Sequence, residues 1–338
     1  MKWSLLKTSI LLLFIFSLFV QSCNKENKIE NKIFLMQKEL TAKRINIEVL
    51  LDIIALDIKK EILIAHSRTT DTLFHLFFLP EMEYIKSFGT IGNGPNEYHS
   101  NPTMLGSTNN DFLYLRNNDI VEKINFQSLF ADEIVVSRYR FGNFPSGSSS
   151  KWTLIDDSLI FYTISNPSEI QLCSYSIKNN KKGEKSILVT KENKHSICHE
   201  NTGFLSGEFN TIAYAYLYKD QIDFMNMDFV SKKSIKDKKS KIEIDEEDIN
   251  NSILYYNSSY IGQEKIYFLR RGHSINERIE GREPKNTIEV YDYEGNPIIQ
   301  YHLNVYPRGF TVDEMNHHIY TWGIEEDIIY RYDMNQVN

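Results

Sequence analysis

The side chains best suited by type to do chemistry are histidine and cysteine, and they gather in one place, at His195, Cys198 and His199. Imidazole and thiolate are zinc ligands, and a zinc centre draws convergent ligands, usually with some short local spacing. No fourth ligand lies within sequence reach of these three, so the group reads as a solvated loop and no metal is assigned. His317 and His318 are adjacent, and neighbouring side chains on a strand face opposite sides. No Gly-x-Ser-x-Gly elbow is present, so no catalytic nucleophile is assigned, and no cofactor is expected.

A second arrangement is rich in glycine, running Gly89-Thr90-Ile91-Gly92-Asn93-Gly94-Pro95-Asn96-Glu97-Tyr98. Glycines at such spacing cradle phosphate when a strand precedes them and a helix N-terminus follows. Here Pro95 and another strand-like unit follow instead, which makes the segment a structural crossing between two β units. In that reading Gly89, Gly92 and Gly94 permit positive φ, Glu97 accepts hydrogen bonds from backbone amides, and Tyr98 ends the motif.

Cys23 has chemistry of a different kind. Lys2 and Lys7 precede an apolar run from Ile10 to Val20, 11 residues, where a membrane span needs about 20. Residues 1–22 therefore read as a cleaved signal peptide. The run ends in Val20-Gln21-Ser22-Cys23, which resembles the lipobox of bacterial lipoproteins and makes Cys23 the lipid-attachment residue. Residues 23–32 are polar and of alternating charge, and form the expected tether. The resemblance implies an outer-membrane lipoprotein; the lysine and acid after Cys23 look like a surface-export signal, which leaves the periplasmic and cell-surface sides both open.

The formal net charge is −7, and losing Lys2 and Lys7 makes it −9. An acidic chain is a poor match for a phosphate backbone, so nucleic acid is excluded as the main partner. In an oxidising compartment Cys173 and Cys198 either form a disulfide or stay as two buried thiols, and the sequence leaves both open.

These groups must be positioned by repeated β units. Six short segments share one shape, a polar residue entering a β-branched or aromatic run, and they start at 61, 111, 158, 211, 265 and 318. The spacing of 47 to 54 residues is close to that of four-stranded propeller blades. A second apolar strand follows each, from Leu73–Phe78 in the first unit to Ile328–Tyr332 in the last. The 20 Tyr and 20 Phe suit wedges between packed sheets. The last unit lacks room for a fourth strand, so a strand within Ile33 to Leu50 is expected to pair onto Ile328–Tyr332 and close the ring. The basic block Lys232–Lys241 and the acidic block Glu243–Asp248 read as one solvated, mobile loop able to carry recognition.

Residues 33–338 are thus expected to form an all-β, closed six-bladed β-propeller of four-stranded antiparallel blades, as a monomer. The motif from Gly89 to Tyr98, with Asn96 where the pattern has its last glycine, resembles the signature of TolB-like six-bladed propeller lipoproteins of gut anaerobes. That resemblance implies fold and compartment more than activity. The leading functional expectation is a lipid-anchored module that binds an envelope protein, peptide or glycan. The alternatives are a lactonase- or lyase-like enzyme with a small molecule in the channel, and a structural accessory subunit of an envelope assembly.

Overall fold

The computed structural model describes residues 29–47, 52–68, 71–94, 97–131, 134–140, 148–155, 158–165, 169–189, 201–240, 244–245, 247–279, 286–323 and 328–336. They form six sheets, each with an antiparallel core of four strands, arranged as a six-bladed β-propeller. The innermost strands of blades one to six are Ile53–Lys59, Thr103–Leu105, Ser148–Ile155, Gly203–Glu208, Leu254–Ile261 and Gly309–Asp313. The repeated segments are the second strands, Ile62–Ser67, Phe112–Asn117, Leu159–Ser165, Thr211–Tyr216, Lys265–His273 and His318–Trp322. A strand with blades against both faces reads as a continuous apolar run rather than an alternating one. Ile62–Ser67 and Thr211–Tyr216 accordingly are buried at every position.

Six apolar clusters fill the six wedges between neighbouring blades. Aromatic rings span the gaps, as in Phe224 of blade four against Tyr291 of blade five, with centroids 5.7 Å apart. Burying one such ring contributes about 2–3 kcal/mol. The ring of blades is therefore held by side-chain packing, and each blade by its backbone ladder.

The N-terminal segment forms three strands, β1 (Ile29–Asn31), β2 (Gln37–Leu40) and β3 (Lys43–Asn46). β3 is the fourth strand of blade six, pairing antiparallel with Ile328–Asp333 from Ile328↔Asn46 to Arg331↔Lys43. The ring thus closes inside the window expected from the sequence. β1 and β2 add parallel fifth strands to blades four and five, on Ser231–Lys236 and Pro297–Leu303. The polar segment read as a tether through Lys32 is therefore strand from Ile29 to Asn31. Likewise Lys232, Lys233 and Lys236 belong to the fourth strand of blade four and not to a loop, and Lys233 Nζ lies 2.8 Å from Glu30 of β1. Charge composition alone does not reveal a strand that pairs through its backbone.

Each blade starts at its innermost strand and alternates direction outward. First-to-second and third-to-fourth turns therefore share one face, the lower; second-to-third turns and blade-to-blade crossings share the upper. β1 runs parallel to the fourth strand of blade four with Ile29 opposite Ser234 and Asn31 opposite Lys236, so it lies along the upper half of that strand.

Candidate functional site: the central channel

The innermost strands surround a cavity of about 340 Å³ on the ring axis. Its wall mixes the aromatic side chains Trp152, Phe204, Tyr260, Phe310 and Trp322 with the polar Asp57, Thr153, Ser206, Ser259 and Arg308. Polar residues occur here because an innermost strand meets the axis along one edge and cannot bury all its side chains in wedges. Arg308, exposed, lies in the crossing between blades five and six, at the upper mouth. The Ser206 and Ser259 hydroxyls are hydrogen-bonded to each other across the wall from blades four and five. Thr153 Oγ1 is buried without a hydrogen-bond partner. The guanidinium of Arg116 stacks on Trp152, with Cζ 3.7 Å from the ring centroid, and burial lowers its pKa.

Asp57 is the carboxylate of the cavity wall among the described residues. Its Oδ1 accepts from Ile58 N at 2.9 Å, while Oδ2 makes no hydrogen bond and stands 3.6 Å from Lys59 Nζ. Burial raises the Asp57 pKa, and Lys59 only partly offsets it. Towards the lower face the turns fasten to one another. Lys59, 1 % exposed, donates to Ser107 O at 2.5 Å. Gln263 donates through Nε2 to Thr108 O at 3.0 Å and through its backbone N to Glu314 Oε2 at 2.7 Å. The upper connections have their own ties: Arg271 Nη2 donates to Pro307 O at 3.3 Å, and Tyr255 N donates to Leu217 O at 2.7 Å.

The glycine motif lies away from this cavity, between blades one and two. Gly89 adopts φ +75°, and a Cβ there would come within 3.0 Å of the Phe74 ring. Gly92 and Gly94 do not adopt the positive φ expected of them; they are set by close approach instead, folding over the Glu97 side chain, whose Oε2 accepts from Gly94 N at 2.6 Å, and a Cβ on Gly92 would lie 2.0 Å from that oxygen. Glu97 and Tyr98 add a short parallel strand to Thr90–Ile91. Buried Tyr98 donates to Glu122 Oε2 of blade two at 2.8 Å, and Arg138 Nε donates to the other oxygen of Glu122 at 2.7 Å. Burial, followed by the Glu122 charge, pushes the Tyr98 hydroxyl pKa far up. The segment therefore joins two blades. Pro95 lies outside the described residues, as do Cys23, His195, Cys198 and His199. Cys173 is buried in the third strand of blade three, and its pairing with Cys198 cannot be drawn. Among the described residues no three His, Cys, Asp or Glu side chains gather as a metal site.

Two groups escape sequence reasoning. The channel polar residues sit one or two to a strand, and only Asn257-Ser258-Ser259 within Leu254–Ile261 hints at a polar wall. The second is an ion network in the wedge of blades four and five. Lys32, which follows β1, pairs with Asp220 and lies 2.9 Å from Glu289, and Arg270 reaches Asp220 at 2.6 Å. Tyr256 donates to Asp220 at 2.9 Å or to Glu289 at 2.8 Å, and Tyr291 to Glu289 at 2.8 Å. Burial alone would raise the Asp220 pKa, but Lys32 and Arg270 outweigh it and hold the carboxyl at about 2. No spacing rule links residues so far apart in sequence.

Among the described residues no helix is long and apolar enough to cross a membrane. No curated protein matches the sequence. Among solved structures, a DUF4221 family member from Bacteroides vulgatus aligns with TM-score 0.51 and 14 % identity over 87 % of this chain and 97 % of its own. A Bacteroides fragilis protein described as exported aligns with TM-score 0.50 and 10 % identity over 90 % and 99 %. A streptogramin B lyase aligns with TM-score 0.51 and 10 % identity over 88 % and 98 %. At such identities the likeness is one of fold. Residues 218–315, which run from blade four into blade six, match the family described as TolB-like 6-blade propeller-like. The ring of blades and the matched segment agree: the chain is a six-bladed β-propeller, and its residues 218–315 are similar to the TolB-like family.

Proposed function

We propose that this propeller is a lipid-anchored protein of the bacterial outer membrane, held by Cys23, whose channel and upper mouth bind a glycan or peptide of the envelope. The observation that supports the binding role is the channel wall. Flat aromatic faces beside hydroxyls, one carboxylate and one guanidinium are what an uncharged or weakly charged polar ligand requires. Thr153 Oγ1 and Asp57 Oδ2 lack hydrogen-bond partners, and a ligand reaching them would supply what the fold does not.

A second reading, a small-molecule lyase or lactonase, draws on Asp57 alone. A desolvated carboxyl with a raised pKa is suited to give or take a proton. In that case Asp57→Asn would abolish turnover while leaving ligand affinity nearly intact.

The test is a photo-crosslinking residue at position 308, at the channel mouth, in tagged protein expressed in its own envelope. The expected result is one stoichiometric adduct, absent when the same residue replaces Lys181 on the lower face, and purified with a fatty-acid label that Cys23→Ala removes. An adduct of equal yield from both positions, or none from 308, contradicts the binding role. Label retained in Cys23→Ala contradicts the anchor.

A further inference from the structure

A buried cation near the upper face has no acid beside it. Arg271, at the upper end of the second strand of blade five, is 5 % exposed. Its Nη2 meets Pro307 O at 3.3 Å and Arg308 O at 3.5 Å, both long for hydrogen bonds, which favour about 2.9–3.0 Å. Nε and Nη1 are buried and make none. Among the described residues no carboxylate pairs with this guanidinium, whereas Lys32 and Arg270 share the carboxylates of Asp220 and Glu289. Burial, then the like charge of Arg278, lowers the Arg271 pKa to about 10, which leaves it protonated at neutral pH.

Three polar side chains surround one ring here. Tyr306, half-buried in the crossing between blades five and six, has Arg271 Cζ 4.5 Å and Arg278 Cζ 4.8 Å from its centroid. Arg278 belongs to a short helix, Ile275–Ile279, in the second-to-third connection of blade five. His273 has its ring centroid 5.6 Å from that of Tyr306, is 2 % exposed, and keeps Nε2 buried without a partner. Nδ1 of that ring lies 2.9 Å from Ser274 O and so carries the proton, which leaves Nε2 to accept from a hydroxyl. Glu277, the acid nearest in sequence, is already engaged, Oε2 accepting from Ser274 N at 2.8 Å. Stacking on a ring offsets part of the desolvation of a guanidinium but leaves its N–H groups unpaired. Buried donors left so in a folded protein call for a water or an ion.

We infer that Arg271, Arg278 and His273 form an oxyanion site on the upper face, beside the channel but separate from it, and that Tyr306 is the cover an incoming phosphate or carboxylate displaces. Arg271 donates through Nε or Nη1, Arg278 adds charge from the rim, and His273 accepts from a hydroxyl of the ligand, as hydrogen phosphate or a hydroxy acid supplies. Guanidinium groups suit such anions because their planar N–H donors match paired oxygens. Entry is from solvent, since Asn304 and Arg308 on either side of Tyr306 are exposed. The Arg308 side chain faces the channel and only its carbonyl meets Arg271, so the site does not depend on the channel reading.

The test is nuclear magnetic resonance of the full chain with isotope-labelled arginine, in buffer free of oxyanions. It follows the Arg271 Nε–H signal, identified by its loss in Arg271→Lys. Inorganic phosphate and lactate are titrated separately, with sodium chloride of equal ionic strength as control. A saturable downfield shift at millimolar phosphate or lactate is expected, and which of the two acts tells a phosphate ligand from a carboxylate. Tyr306→Ala, which uncovers Arg271 without an opening step, should tighten binding about tenfold. Arg278→Gln should weaken it severalfold, and both variants change partly exposed side chains, so they carry the test if Arg271→Lys does not fold. A signal that neither anion moves, or that chloride moves equally, overturns the site. A signal already at its hydrogen-bonded position before any anion is added overturns it in favour of an acid of the chain itself. Binding that Tyr306→Ala fails to tighten overturns the cover.

Discussion

Lys32 is the residue that fastens the N-terminal segment to the ring. Its ammonium is 7 % exposed and faces two carboxylates that are fully buried, with Arg270 as the other cation. Removing one partner of a buried pair leaves charge without compensation, at a cost of about 3–5 kcal/mol. Lys32→Met should therefore lower the unfolding free energy by that order in urea titration; a change under about 1 kcal/mol would mean that the network is solvated like a surface pair. His66 gives a pH signature. Burial lowers its pKa to about 4, only partly opposed by the hydrogen bond with Asn101, so the folded protein holds the neutral ring where the unfolded chain would protonate it near 6.5. The stability this contributes is full above pH 6.5 and is lost as pH falls towards 4, up to roughly 3 kcal/mol. Thermal melts between pH 7 and 4 should show the decline, and His66→Gln should flatten it.

Among the elements, the second strands were legible because each is packed on both faces and spells a short apolar run, whereas the third strands mix in residues such as Glu122 and Lys123 and were legible by their distance after the second. The first strands were not, since the channel edge demands Asp57, Thr153, Ser206 and Asn257 among their apolar residues. Nor were β1 and β2, short strands whose Lys, Glu and Gln on an outer rim read as a solvated segment. β3 was legible only by arithmetic, as the strand that blade six lacked. Its role makes a strong prediction. Deleting residues 33–50 removes β2 and β3, exposes the edge of Ile328–Asp333, and should unfold the whole domain in a single transition. A truncated chain that remains monomeric with native circular dichroism would contradict closure by β3.

At the scale of the whole molecule, the two ends of the ring differ in their side chains. The lower turns are laced to one another around Lys59 and Gln263 and display the aromatic side chains Phe78, Tyr84 and Phe130 outward, while the upper end opens beside Arg308. The glycine motif, legible from its spacing, belongs to the assembly of blades one and two and not to binding. The channel, invisible as a motif, is where the chemistry converges. It contains its own probe, because the proposed cleavage after residue 22 would leave Trp152 and Trp322 as the tryptophans of the chain, and both line the cavity. The most direct test is to titrate the mature protein with size-separated envelope glycans and peptides while recording tryptophan emission. Saturable movement of the emission by one class of ligand, lost in Asp57→Ala, is the result predicted. Emission that no fraction moves, in protein whose melting temperature no fraction raises, would contradict the channel as a binding site.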